Sequence, residues 1–122
     1  MTMKGTQVGE EVHQTTTRTV TRQVSEFRTV VLELPSSAPE VPLPYGAGLL
    51  VPTHIRIKYD HQYGSTPKTT ASARVFGNLR VPGEGETTRL VDAEFRYRGH
   101  WVPDWVSQIM LDTCPVGWEL PR

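Results

Sequence analysis

The 122-residue chain has a single cysteine, Cys114. One thiol cannot close an intramolecular disulfide, so a disulfide-stapled secreted scaffold is excluded. Neither sign of charge is in excess: thirteen Lys and Arg balance thirteen Asp and Glu, so the whole-molecule charge points to no polyanionic partner. Long apolar runs are missing too; none approaches the roughly 18–20 residues that a membrane span requires, and no membrane partner is expected. The opening "MTMKGTQVGEEVHQ" has a lysine but no apolar stretch behind it. It is not read as a signal peptide, and a cytoplasmic location is the expectation. The length suits one domain over residues 1–122, with a modest core because apolar residues make up only 37%.

The patterns that carry chemistry are also scarce. His13, His54, His61 and His100 are scattered, with no pair at the spacing of a zinc-binding helix. His54 and His61 flank one strand and could meet only through the turn that follows. No G-x-S-x-G elbow occurs, and Ser25, Ser65, Ser72 and Ser107 have no recognisable base nearby. "YGAGLLVP" and "PGEGE" contain G-x-G, but neither opens a helix, so neither reads as a phosphate loop. Asp92 and Glu94 share one outward strand face, where pairing with a cross-strand Arg74 or Arg80 outweighs acid–base chemistry. Cys114 falls at a helix C-terminus, whose negative dipole end raises a thiol pKa, and reads as a small hydrophobe. No catalytic residue, metal or cofactor is expected.

What is present is an organised run of strands. Residues 1–14 are polar and glycine-containing, and read as a flexible arm. In "TTTRTVTRQVSEFRTVVLELP", Val20, Val24, Phe27, Val31 and Leu34 fall at helical spacing, whereas the β-branched content and the alternation of "TVVLEL" favour strand. The stretch from Pro35 to Pro52 holds five prolines and two glycines in eighteen residues, so 35–53 reads as a long loop, pinned by Leu43, Tyr45, Leu49 and Leu50. After it Ile55, Ile57 and Tyr59 alternate with His54, Arg56 and Lys58, as in a half-buried strand. "TASARVFGNLRV" puts Ala71, Ala73, Val75, Leu79 and Val81 on one face, and "PGEGE" reads as a hairpin loop. The next strand turns Val91, Ala93, Phe95 and Tyr97 inward. Short links between consecutive strands make an antiparallel meander.

"GHWVPDWVSQIMLD" closes the pattern. Pro103 suits a first helical turn and Asp104 the positive end of the dipole. Val102, Val106, Ile109 and Met110 form one apolar face, and Pro115 and Gly117 stop the helix near Cys114. The class is therefore α+β: a three- to four-stranded antiparallel meander with one C-terminal helix covering one face. That helix should lie over Ile57, Val75, Val91, Ala93 and Phe95. Trp101 and Trp105 read as its anchors, with a partner-binding aromatic patch as the alternative.

Trp101, Pro103, Trp105 and Val106 give W-x-P-x-W-V, and Pro115, Gly117 and Trp118 open P-x-G-W-x-L-P. With the meander before them, these motifs resemble a loose group of small uncharacterised proteins of high-GC actinobacteria and their phages. Arginine outnumbers lysine ten to three, which suits a GC-rich genome. The resemblance covers about the last third of the chain. It implies a phage or mobile-element accessory protein, and carries over no catalytic or binding residue.

The charge balance is local. From Ile55 to Arg98 eight basic residues stand against five acidic ones. His54, Arg56, Lys58, Arg74, Phe76, Asn78, Arg80, Arg96 and Arg98 should project from the uncovered sheet face. Of these, Arg56, Lys58, Arg74, Phe76, Arg80 and Arg96 are the candidate partner-binding residues. A non-enzymatic protein that binds a protein partner is the leading reading. A nucleic-acid-binding protein using the basic sheet face is the second, and a virion or assembly component built from several copies is the third.

Overall fold

The computed structural model describes residues 5–16 and 23–122. They form a six-stranded antiparallel sheet: β1 (Thr6–Thr16), β2 (Gln23–Glu33), β3 (Val41–Pro42), β4 (Leu49–Gln62), β5 (Lys68–Val81) and β6 (Gly85–Arg96). Helix α1 (Asp104–Asp112) follows. The sheet order is β1-β2-β4-β5-β6, with β3 paired to the start of β4. The α+β class with a C-terminal helix is thus as expected, with more strands.

Two of the added strands escape a hydrophobic-pattern reading. β1 occupies most of the stretch expected to be a flexible arm, and Met1–Lys4 fall outside the described residues. Its sequence has no apolar alternation because it is an edge strand, held by backbone pairing along β2 from Thr6 opposite Glu33 to Thr16 opposite Gln23. The stretch favoured as strand over 15–34 is strand at Gln23–Glu33, whereas residues 17–22 lie outside the described residues.

The proline-rich loop is shorter than expected. Residues 49–53 already belong to β4, and Val41–Pro42 form a two-residue strand beside them. Leu50 is fully buried and Leu43 packs against the core, as anticipated. Tyr45 does not pin the loop: it stands in solvent with φ near 60°, inside a short 3-10 turn.

The core face reads across the strands in rows. Val30, Ile57, Ala73 and Phe95 are successive partners on β2, β4, β5 and β6, and Leu32, Ile55, Val75 and Ala93 form the next row. This is the period-2 alternation carried through four strands. Near its start β4 bends over β5. A bulge falls between Pro52 and His54, and Gly77 on β5 lies against the Val51 carbonyl, where a Cβ would come within 1.9 Å of the oxygen. Only glycine permits that approach.

The cover has two parts. Val106, Ile109 and Met110 of α1 are buried against the sheet, and the helix opens on Pro103, whose carbonyl accepts from the Val106 and Ser107 amides. Beyond the helix the chain turns at Gly117, with φ near 88°, and lays Trp118 and Leu120 into the same core. The tail is fastened by the Tyr97 hydroxyl, which donates to the Pro121 carbonyl, and by Arg98, which donates to that of Arg122. Trp101 is no anchor. It is 55% exposed and touches the core only edge-on, at 5.7 Å from Phe95. Trp105 is half-buried on the helix flank, and the deep tryptophan is Trp118.

Candidate functional site

On the uncovered face the strand registers set the charged residues in rows. Val31, Arg56, Arg74 and Glu94 form one, Thr29, Lys58, Ser72 and Arg96 the next, and Glu33, His54, Phe76 and Asp92 a third. Five of the six candidate partner-binding residues therefore share this face: Arg56, Lys58, Arg74, Phe76 and Arg96. Arg80 makes a bidentate ion pair with Glu40 in the proline-rich loop. Arg98 leaves the face: the chain turns there at φ near 60°, and its side chain goes to the Arg122 carbonyl.

Arg56 and Arg74 stand directly opposite one another, an unfavourable like-charge pair in a sheet. Arg74 is compensated from the other side. It donates to Asp92 at 3.0 Å and to Glu94 at 2.6 Å, the cross-strand pairing anticipated for those carboxylates. Arg56 instead lies over the Phe76 ring, 5.5 Å from its centroid, and Lys58 over Phe27 at 4.4 Å. Among the described residues neither cation pairs with a carboxylate. Each residue is exposed, and its charged head lies over an aromatic ring. Between them runs a groove of about 780 Å³ lined by Phe27, Val31, Arg56, Lys58 and Ser72, with Gly9 of β1 at its edge. A Cβ built on Gly9 meets nothing within 4 Å.

A second polar constellation lies on the covered face, near the start of β2 and the end of β4. His54 and His61 do not converge, because seven positions along one strand place them on opposite faces. His61 points inward with Ile55, Ile57 and Tyr59, and Glu26, its cross-strand partner, points inward with Val30 and Leu32. Both are buried. Glu26 accepts from the Tyr63 hydroxyl at 2.8 Å and from Arg28 at 3.1 Å. His61 Nδ1 shares a 2.7 Å hydrogen bond with the Thr69 hydroxyl. The Trp118 indole lies between His61, stacked at 4.9 Å and 8°, and the Arg28 guanidinium at 5.0 Å.

The alternation of β2 and β4 carried this signal, since continuing each inward phase by one or two steps reaches Glu26 and His61. Its chemistry is that of a fastening. Every buried side-chain polar atom among the described residues has a hydrogen-bond partner, and the indole covers the His61 ring. The hydrogen bond to the Glu26 carboxylate raises the Tyr63 pKa above the ordinary phenol value.

Among the described residues no group of three His, Cys, Asp or Glu side chains is placed to hold a metal ion. Cys114 is half-buried, its Sγ 3.3 Å from the Trp118 carbonyl, and burial raises its thiol pKa. No described helix is long and apolar enough to cross a membrane. No family model, curated protein or solved structure matches the chain.

Proposed function

We propose that this is a non-enzymatic interaction protein, cytoplasmic, whose uncovered sheet face binds an extended acidic segment of a protein partner. The observation that carries the reading is the pair Arg56 and Lys58. Both are exposed on the central strand, without a carboxylate partner among the described residues, on a groove whose edge is left open by Gly9. Acidic side chains of an extended segment would meet the two cations, and its apolar side chains Phe27 and Val31. The resemblance of the C-terminal third to actinobacterial and actinophage proteins supports an accessory role in a phage or mobile element.

A phosphate backbone fits this face less well. Glu33, Asp60, Asp92 and Glu94 share this face with the cations, and a polyanion would meet each of them. Mixed charge suits a protein partner, where complementarity selects register.

The test is fluorescence anisotropy with a labelled peptide of repeated Asp-Asp-Leu-Leu, which sets both residue types on one face of an extended strand, against its lysine counterpart and a single-stranded oligonucleotide. The acidic peptide should bind, Arg56→Glu with Lys58→Glu should weaken it at least tenfold, and Gly9→Trp should block it without unfolding. Equal binding of both peptides, or indifference to these variants, overturns the proposal. Tighter binding of the oligonucleotide, falling steeply with salt, would replace it with the nucleic-acid reading.

A further inference from the structure

The sheet has two outer edges, and the sequence treats them differently. On β1 a bulge between Gln7 and Gly9 opposes the addition of another strand. On β6 the outer edge carries mixed charge. The Tyr97 amide donates to the Ala71 carbonyl at 2.9 Å, which fixes the phase of the ladder: Phe95 and Ala93 turn their backbone groups inward to β5. Asp92, Glu94 and Arg96 therefore turn theirs outward, and among the described residues no strand pairs with them. Beside this edge runs a mostly apolar groove of about 650 Å³, walled by Pro42, Leu43 and Trp101. More than half of the Trp101 surface is open to solvent there.

We propose that this edge pairs with the same edge of a second copy of the chain, giving a two-fold dimer with one continuous sheet. With the axis through Glu94, antiparallel pairing sets Asp92 opposite Arg96 of the other copy, twice, by symmetry. The one like-charge meeting, Glu94 on Glu94, is partly offset in each copy by Arg74, which holds Glu94 at 2.6 Å and shares its charge with Asp92 at 3.0 Å. The outward amides of Asp92, Glu94 and Arg96 and the carbonyls of Asp92 and Glu94 gain partners, the Arg96 carbonyl already accepting from the Gly99 amide at 2.8 Å, and Trp101 gains cover in the groove. The self-complementary edge is the favoured one. The contact is short for a permanent interface, so the dimer forms and dissociates with concentration.

Light scattering after size exclusion reads the mass directly. With rising concentration, up to about millimolar, the mass should move from 13.7 kDa toward twice that value. Glu94→Pro removes an amide that points outward and leaves the β5 ladder intact, so the variant should stay folded by circular dichroism and monomeric. Asp92→Arg and Arg96→Asp should each weaken dimerisation at least tenfold, and the double exchange should restore it. A protein monomeric throughout, a dimer that survives Glu94→Pro, or a double exchange that fails to restore pairing would each overturn the proposal. Peptide binding on the uncovered face is a separate readout and does not depend on the outcome.

Discussion

The hydroxyl of Tyr59, on the central strand β4, donates a 2.7 Å hydrogen bond to the Met110 carbonyl in the last turn of α1. Both residues are fully buried. The last carbonyls of a helix have no partner within it, and here the sheet supplies one. The bond ties the last turn of the helix to the central strand as well as satisfying the carbonyl. Tyr59→Phe keeps the ring and removes the bond, leaving a buried acceptor unsatisfied. The expected loss is about 1–3 kcal/mol in urea unfolding, with the fold retained.

The same hydroxyl makes stability depend on alkaline pH. Burial raises the Tyr59 pKa far above 10.0, and the bond to Glu26 raises that of Tyr63 in the same direction. A group whose folded pKa is raised contributes stability that is fully present below its unfolded pKa. That contribution is lost as pH rises from the unfolded value toward the folded one. Stability should therefore fall as pH rises above 10.0, and Tyr59→Phe with Tyr63→Phe should flatten that limb. Denaturant midpoints at a series of alkaline pH values check this; equal slopes in the two proteins would refute it.

Much of this fold was legible in the sequence, because Ile55, Ile57 and Tyr59, or Ala93 and Phe95, alternate cleanly and do face the core. β1 was not legible, since backbone pairing to β2 leaves no trace in side-chain periodicity. Trp101 and Trp118 illustrate a further limit. Both are tryptophans beside the helix, and what separates them is backbone: the turn at Arg98 carries the chain off the sheet edge, and the turn at Gly117 brings it back onto the core. Of the candidate site, the shared face of Arg56, Lys58, Arg74, Phe76 and Arg96 followed from strand parity. The pairing of Arg80 with Glu40 did not, because its partner lies forty positions earlier in a loop.

Gly77 should be irreplaceable. Its Cβ would fall 1.9 Å from the Val51 carbonyl oxygen and 2.6 Å from the carbonyl carbon, and backbone cannot step aside as a flexible side chain can. Gly77→Ala should cost about 3 kcal/mol or more, through the forced separation of β4 and β5 at their bend. Gly9→Ala, with open space around it, serves as the control and should melt within a few degrees of the parent.

Cys114 should be slow to alkylate. Its thiol is half-buried and its pKa is raised chiefly by that burial, so the reactive thiolate is scarce at neutral pH. Iodoacetamide should label the native protein at pH 7 many times more slowly than the urea-unfolded chain, with a rate that climbs on alkalisation. Labelling as fast as in the unfolded chain would mean that the tail opens readily.

The three tryptophans offer the sharpest test of how the sheet is covered. Trp118 is 8% exposed, stacked on His61 and faced by Arg28. Trp118→Ala removes the largest side chain of the tail and uncovers the His61 ring. A loss of about 3–5 kcal/mol is expected, as for other buried large aromatics. Trp105, half-buried on the helix flank, should cost less than Trp118 when truncated. Trp101→Ala, measured at a concentration where the protein is monomeric, should stay within about 0.5 kcal/mol of the parent, because an exposed ring on the edge of Phe95 contributes little. The order Trp118, Trp105, Trp101 in urea unfolding is the expected result. A Trp101 variant as destabilised as the Trp118 variant would mean that the helix entry, and not the C-terminal tail, holds the cover on the sheet.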